Sequence, residues 1–189
     1  MEMTLDAIRE DVEARLTDAA ANRRSAMHTP VVATADADVR IMVLREFDAD
    51  QWTLRFHTDA RSPKTAALRD DAPLGTLFYD PVDKVQLRCR GRALLDTGSR
   101  ETDLAWQAST TFARRCYMGR PPGEASSAPT SGLPPDVEGI APTEEQLIDA
   151  RANFARLIVR LDTVDWYRLS HKGHRRALLT REDARWLTP

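Results

Sequence analysis

The sequence predicts a mainly β, α+β fold: a small antiparallel β-barrel with peripheral helices. Apolar and polar residues alternate in five short segments between residues 27 and 95, as expected for half-buried strands. Turn signals such as Asp48-Ala49-Asp50 and Asp80-Pro81-Val82-Asp83 separate successive segments. Only one brief helix interrupts this region, so the strands are expected to pair mainly with their neighbours rather than through helical crossovers.

The first half of the chain begins with a predicted amphipathic helix over residues 4–21, where apolar residues recur at helical spacing. A strand is expected at residues 31–35, after Pro30. A β-hairpin follows over residues 39–57, because its apolar residues lie in two runs around a turn. The remaining elements predicted in this half are a short helix that starts after Ser62 and strands over residues 73–80 and 85–95.

The second half is less regular. Residues 100–116 are predicted to be helical, with apolar contacts from Leu104, Trp106, Ala108 and Phe112, and the Pro/Gly/Ser-rich residues 118–142 to form a long loop. The sequence Thr143-Glu144-Glu145-Gln146 is a capping box that predicts a helix to residue 154. Residues 154–169 and 175–180 are predicted as the last two strands.

Composition restricts the class of protein. The chain has 189 residues, 42% of them hydrophobic, which suits a single domain over residues 1–189. A net charge of −2 gives no global basic field, so nucleic acid is not an expected partner. Cys89 and Cys116 lie in no metal-ligand spacing, which favours reduced thiols, no metal and a cytoplasmic protein. No apolar run approaches 18 residues, so no membrane partner is expected.

The segment Arg61-Ser62-Pro63-Lys64 is a candidate anion site. Ser62 is a favoured N-cap and Pro63 suits the first helical position. The free amides of a first helical turn and the flanking cations Arg61 and Lys64 would then converge on one spot, where a phosphate would be stabilised. The alternative is an ordinary loop-to-helix junction that binds nothing.

The strand over residues 85–95 has two different faces. One face carries apolar side chains, and the other carries Gln86, Arg88, Arg90 and Arg92. The polar face is either a solvated outer surface or part of a binding site. RNA binding by this arginine-rich face is a further hypothesis, which the near-neutral net charge disfavours.

Four motifs in order resemble the pyridoxamine 5'-phosphate oxidase-like family of FMN-binding split barrels. They are Arg40-x-x-Val43-Leu44-Arg45, Thr58-Asp59-x-Arg61-Ser62-x-Lys64, Phe78-Tyr79 and Gln86-Leu87-Arg88-x-x-Gly91. The resemblance covers residues 20–96 and again 154–189. It implies a split β-barrel, non-covalent FMN, and a homodimer with flavin sites at the interface that the partner's C-terminal strands complete.

The resemblance also implies residue roles. Arg61, Ser62 and Lys64 would serve the FMN phosphate, and Gln86 the flavin ring. For Trp166 and Tyr167 the alternative is core packing, and for Arg175 and Arg176 a solvated pair. The cofactor-binding residues expected are Arg40, Ile41, Met42, Val43, Leu44, Thr58, Arg61, Ser62, Lys64, Gln86, Trp166, Tyr167 and Arg176, with Arg45 and Arg175 facing the substrate. Because Arg40 and Arg45 are five residues apart, a regular strand would point them to opposite faces, so one of them is expected at a bulge or in another role.

The chain departs from the family after Gln86. The family's oxidase grips its substrate phosphate with a Tyr, an Arg-Pro and a Ser, whereas residues 104–111 here read LAWQASTT. Arg114, Arg115 and Arg120 are the later candidates for that role. The expected function is therefore an FMN-dependent oxidoreductase acting on an unidentified small molecule. The alternative is an FMN-binding carrier or sensor without turnover.

Overall fold

The computed structural model describes residues 3–68 and 71–189. Strands dominate it, as predicted. The helices are α1 (Leu5–Ala21), α2 (Arg100–Ala108) and α3 (Thr111–Arg114), with 3₁₀ helices at Pro63–Leu68, Arg115–Met118 and Asp149–Asn153. The strands are β1 (Val31–Thr34), β2 (Val39–Ile41), β3 (Leu44–Asp48), β4 (Thr53–Asp59), β5 (Ala72–Asp80), β6 (Val85–Asp96), β7 (Phe154–Arg168), β8 (Arg175–Leu179) and β9 (Ala184–Leu187).

The strands of the described residues form one sheet in the order β2-β1-β5-β6-β7-β4-β3, and β8 pairs with β7 and β9. The pairs β1–β2, β1–β5, β3–β4, β5–β6, β7–β8 and β8–β9 are antiparallel. Residues 175–180 are therefore not the last strand, because β9 follows them. The sequence reasoning missed β9, whose four residues are too few for a clear alternation.

The predicted hairpin is confirmed as β3–β4, but its first strand is divided. β2 pairs with β1, and the chain leaves it at Met42, whose amide donates to the Pro30 carbonyl at 3.1 Å. The β3–β4 register then shifts between Leu44 and Glu46. Arg45 lies in this irregularity, so one of the two arginines is at a break in the regular strand pairing, in agreement with the expectation of a bulge or another role.

The chain divides into two compact units. The first contains residues 1–56, 67–94 and 158–189. Its helix α1 buries Ile8, Val12, Leu16 and Ala19, as its periodicity predicted. Strands β6 and β7 approach each other closely at Gly91, where an added Cβ would lie 2.1 Å from a backbone carbonyl oxygen of β7.

The second unit contains residues 57–66 and 95–157. Its core joins the aromatic rings of Trp106, Tyr117 and Phe154 to Leu147, with ring centroids 5.1–5.7 Å apart. The aromatic side chains thus hold the short helices and the start of β7 together.

Two helix predictions in the second unit need correction. Residues 100–116 form two α-helices and the start of a 3₁₀ helix instead of one α-helix, because Thr110 starts a new helix by accepting a hydrogen bond from the Ala113 amide at 3.2 Å. Leu104 and Phe112, predicted as apolar contacts, are 51% and 54% exposed. Trp106 is buried, as predicted.

The capping box forms, but no α-helix follows it. The Thr143 amide donates to Gln146 Oε1 at 2.9 Å, and the Gln146 amide donates to Thr143 Oγ1 at 3.3 Å. Turns and a 3₁₀ helix then lead directly into β7 at Phe154. So short a segment gains little from α-helical hydrogen bonds, whereas burying Leu147 in the aromatic core stabilises the turns.

The long loop predicted over residues 118–142 is present over residues 119–142, which contain neither helix nor strand, whereas Met118 ends the preceding 3₁₀ helix. None of the helices in the described ranges is both long and apolar enough to span a membrane.

Candidate cofactor site

Ser62 and Lys64 lie together just after β4, where the sequence predicts an anion site. Lys64 Nζ donates a hydrogen bond to Ser62 Oγ at 2.8 Å, and Ser62 is buried. The predicted helix start is a 3₁₀ turn, in which the Thr65 amide donates to the Ser62 carbonyl at 3.0 Å. An ammonium group and a hydroxyl group within hydrogen-bonding distance of each other can both donate to one anion.

Arg61 is engaged by its own loop. Its Nε donates to Asp59 Oδ1 at 3.0 Å and its Nη2 to Asp59 Oδ2 at 2.7 Å. This hydrogen bonding raises the pKa of Arg61 above its ordinary value. The paired guanidinium shapes the turn between β4 and the 3₁₀ helix, so a phosphate contact from Arg61 would require it to leave Asp59. Thr58, next to Asp59, is buried.

Arg40 is likewise held within the first unit. Its guanidinium donates to Thr34 Oγ1 at 3.1 Å and forms an ion pair with Asp38. These partners hold Arg40 across the β1–β2 turn. Its predicted place near the cofactor stays a prediction.

The residues after Arg40 alternate in exposure. Ile41 is 68% exposed, Met42 and Leu44 are buried, and Val43 is half-buried. Arg45, predicted to face the substrate, is exposed. Ile41, Val43 and Arg45 are therefore the members of this segment whose side chains can reach a ligand without a change of fold.

Gln86 is half-buried on β6, directly opposite Tyr79 of β5. The alternation predicted for β6 is confirmed, with Val85, Leu87 and Cys89 buried. The Gln86 amide makes no hydrogen bond to another residue of the described ranges, so its donors and acceptors are available.

The C-terminal candidates divide into buried and exposed residues. Trp166 is 2% exposed and its Nε1 donates to Asp11 of α1 at 2.8 Å, as core packing predicts. Tyr167 is half-buried, with its ring 5.7 Å from that of His174. Arg175 is exposed and donates to the His174 carbonyl at 2.9 Å.

Arg176 belongs to a cluster that sequence reasoning missed. It donates to Asp165 Oδ1 at 3.0 Å and Oδ2 at 2.8 Å, while Arg88 donates to Asp165 Oδ2 at 2.5 Å. Burial opposes ionisation, but the two arginines hold the pKa of Asp165 below its ordinary value. The only signal in the sequence was a carboxylate between two apolar residues of a strand, Val164 and Trp166.

An apolar face of the sheet is exposed beside these arginines. One cross-strand row places Ile41, Val31 and Leu77 side by side, and the next places Val39, Ala33 and Gly75. Val39, Ile41 and Leu77 are 60%, 68% and 38% exposed. Exposed apolar residues in adjacent rows of a sheet are typical of an interaction surface. We call the six residues of these two rows the apolar face.

Comparison with known proteins gives one family match. Residues 9–97 match the model of the pyridoxamine 5'-phosphate oxidase, FMN-binding domain. No curated protein matches the sequence.

Solved structures share the fold. A pyridoxamine 5'-phosphate oxidase-related, FMN-binding protein of Nostoc punctiforme has 24% identity and a TM-score of 0.71, covering 99% of this chain and 100% of its own. PhzG of Burkholderia lata, solved with tetrahydrophenazine-1-carboxylic acid, has 16% identity and a TM-score of 0.66, covering 95% and 91%. At these identities the likeness shows the fold alone, and it confirms the predicted antiparallel split barrel. Residues 9–97 are therefore similar to the FMN-binding domain of the pyridoxamine 5'-phosphate oxidase family, and the whole chain has the split-barrel fold of the solved structures.

Proposed function

We propose that the chain binds FMN non-covalently and is a flavin-dependent oxidoreductase acting on a small molecule. The observation that carries this proposal is the Lys64–Ser62 pair, 2.8 Å apart, in a chain whose residues 9–97 match an FMN-binding domain. Lys64 and Ser62 would hold the FMN phosphate. When bound, FMN supplies electron transfer that side chains cannot perform.

The residues fit the chemistry of the cofactor. A phosphate dianion needs a cation and hydrogen-bond donors, which Lys64, Ser62 and nearby amides provide. A flavin ring needs apolar contacts and a few polar partners at its edge. Val43 offers an apolar side chain, and the Gln86 amide has its hydrogen-bonding groups available. The ring contacts that the family implies for Arg40–Leu44, Thr58, Trp166, Tyr167 and Arg176 remain part of the proposal.

The apolar face supports a homodimer as the functional form. A second copy is the occupant that the family resemblance implies, and pairing of two such faces would remove Ile41, Val39 and Leu77 from water. Sedimentation should therefore give a dimer, and Leu77→Glu should shift it to monomer and weaken FMN binding, because a carboxylate would be buried in the interface. Ile148→Glu is the control, since Ile148 is 69% exposed but lies outside the apolar face. A wild-type monomer saturated with FMN would contradict the interface model.

Pyridoxamine 5'-phosphate is not the substrate we propose. The three arginines that could replace the family's substrate-phosphate ligands already form hydrogen bonds or ion pairs with other residues. Arg114 forms a bidentate pair with Glu144 at 2.9 and 2.5 Å, and Arg120 pairs with Glu124 at 2.6 Å. Arg115 donates to two loop carbonyls at 3.1 and 3.2 Å. Each would have to break its present contacts to bind a second phosphate.

The visible absorption spectrum of the purified protein tests the proposal. Flavin bands, with FMN released on denaturation, are expected. Lys64→Ala should weaken FMN binding roughly 10- to 100-fold, as loss of one charge-assisted hydrogen bond does. Lys84→Ala, which changes a lysine of the β5–β6 turn, should leave the affinity unchanged. If Lys64→Ala binds FMN like the wild type, the phosphate lies elsewhere.

A second measurement separates enzyme from carrier. The flavin of an oxidoreductase should be reduced by a nicotinamide or a small-molecule donor and should turn over with an acceptor. Stable binding without reduction would leave a flavin carrier or sensor. The cytoplasmic location expected from the cysteine usage stays a prediction.

A further inference from the structure

We infer that a cavity among β6, β7, β8 and β9 is a subsite for the carboxylate or phosphate group of a small molecule. Its volume is about 160 Å³, and it lies entirely within the first unit. The cavity uses neither Ser62 nor Lys64, and Arg176 is the one proposed flavin contact that lines it. Its lining residues are Arg88, Arg90, Thr163, Asp165, Arg176, Leu178 and Leu187.

The charges of the lining residues do not balance. Among the described residues that line the cavity, Asp165 is the one carboxylate, and it already accepts hydrogen bonds from Arg88 and Arg176. Arg90, the third arginine, makes no hydrogen bond or ion pair with any residue of the described ranges 3–68 and 71–189. Three guanidinium groups and one carboxylate leave a net charge of +2 around the cavity.

An anion would relieve this imbalance. Like charges that share a partly enclosed space repel one another, because the surrounding protein screens them less than bulk water does. Guanidinium groups match the planar oxygens of carboxylates and the oxygens of phosphates, to which they can donate two parallel hydrogen bonds. Arg90 is the side chain with donors to spare, so it is expected to make the new contact.

The size of the cavity restricts what enters it. A whole small ligand needs roughly 300–1,000 Å³. At about 160 Å³, this cavity holds an acidic head group but not a complete ligand. Leu178 and Leu187 provide apolar contacts for the carbon atoms next to that group. The geometry thus indicates an organic acid or phosphate ester whose remainder lies outside the cavity.

The anionic group would belong to the substrate of the proposed oxidoreductase, so its role in catalysis rests on the proposed function. Anion binding itself can be measured separately from flavin binding. Arg90 also borders the apolar face, because it lines a second cavity together with Val31, Ala33 and Leu77. Pairing of two copies would therefore bring the proposed anion subsite beside the dimer interface.

The experiment is a calorimetric titration of the full-length protein with sodium benzoate and, separately, inorganic phosphate, at constant ionic strength in chloride buffer. Benzamide, which is neutral and of the same shape as benzoate, serves as the ligand control. Arg90→Gln should weaken anion binding at least about 10-fold, because it removes the charged donor. Arg92→Gln is the matched control, since Arg92 is two residues away on the same strand and donates to the Asp71 carbonyl at 3.2 Å instead.

Binding of benzoate or phosphate that Arg90→Gln loses and Arg92→Gln retains would support the subsite. The anion that binds more tightly identifies the head group. No binding to the wild type, equal binding of benzamide, or equal affinity in all three proteins would overturn the inference. FMN affinity of the wild type and of both variants, read from flavin fluorescence, separates the two proposals: a wild type that binds the anion but no FMN would refute the proposed function alone.

Discussion

Replacing Arg156 by Leu should destabilise the protein by removing the centre of a buried polar network in the second unit. Arg156 Nη2 donates to Asp96 Oδ2 at 2.7 Å, and its Nε donates to Thr102 Oγ1 at 3.0 Å. The two charged side chains keep only 11% and 15% exposure. Leucine would leave the Asp96 carboxylate without its positive partner.

The expected loss follows from the burial. Breaking a fully buried ion pair typically costs about 3–5 kcal/mol. The residual exposure of this pair reduces the estimate to about 2–4 kcal/mol of unfolding free energy. For a chain of this length, such a loss corresponds to roughly 5–15 °C in Tm. Urea denaturation followed by circular dichroism at pH 7 measures it.

Arg160→Leu is the matched control. Arg160 lies on the same strand and pairs with Asp71 at 2.6 Å, but its side chain is 63% exposed. Surface pairs of this kind contribute about 0–1 kcal/mol. If Arg156→Leu were no more destabilising than Arg160→Leu, the network would not stabilise the fold as argued.

The pH dependence gives an independent check. Burial opposes ionisation of Asp96, but hydrogen bonds from Ser99, Arg156 and Thr102 lower its pKa. A carboxyl group whose pKa is lower in the folded state contributes stability above its unfolded pKa, near 3.9, and loses it as the pH falls. The difference in stability between wild type and Arg156→Leu should therefore be full at pH 7 and shrink below about pH 4.

Three further predictions follow from the structure. Gly91→Ala should lower the free energy of unfolding by about 1–3 kcal/mol, because a Cβ there meets the Arg160 carbonyl oxygen. Gly98→Ala should be neutral, because a Cβ there meets nothing within 4 Å. Equal unfolding midpoints of the two variants in urea would contradict this prediction. Iodoacetamide should alkylate exposed Cys116 in the native protein but spare buried Cys89, because burial raises the Cys89 pKa to about 12. Mass spectrometry of the intact protein should therefore show one adduct, and two adducts would contradict the burial of Cys89. Oxidation of pyridoxamine 5'-phosphate by the FMN-loaded protein should show a kcat/KM below about 10⁴ M⁻¹s⁻¹, and a higher value would refute the substrate argument.

Much of the fold could be predicted from local pattern. The period-2 alternation of residues 85–95 gave both the strand and its buried face, and the helical spacing of residues 4–21 gave α1 and its core side chains. The order of short motifs from Arg40 to Gly91 was enough to indicate the family. These predictions agree with the structure because the local geometry of a strand or helix fixes which side chains share a face.

Three predictions failed, one because of a competing tertiary contact, one because of an overlooked local cap and one because the strand is short. The capping box at Thr143 formed both of its hydrogen bonds, yet burial of Leu147 among aromatic rings favoured turns over an α-helix. Residues 100–116 were interrupted at Thr110, whose side chain caps a new helix. β9 carried too few residues to show a period.

The sequence by itself determined most of the strands along the chain, their buried faces and the position of Ser62 and Lys64 after the second strand of the hairpin. Only the tertiary structure decided which acid each arginine meets. With 27 basic and 29 acidic residues, the number of possible ion pairs is large, and no local period selects among them. Strand register does: it brings Asp165 to Arg88 and Asp96 to Arg156, whereas no acid of residues 3–68 or 71–189 pairs with Arg90. Hydrogen-bond partners of charged side chains depend on contacts between residues far apart in the chain, which a short sequence pattern cannot encode.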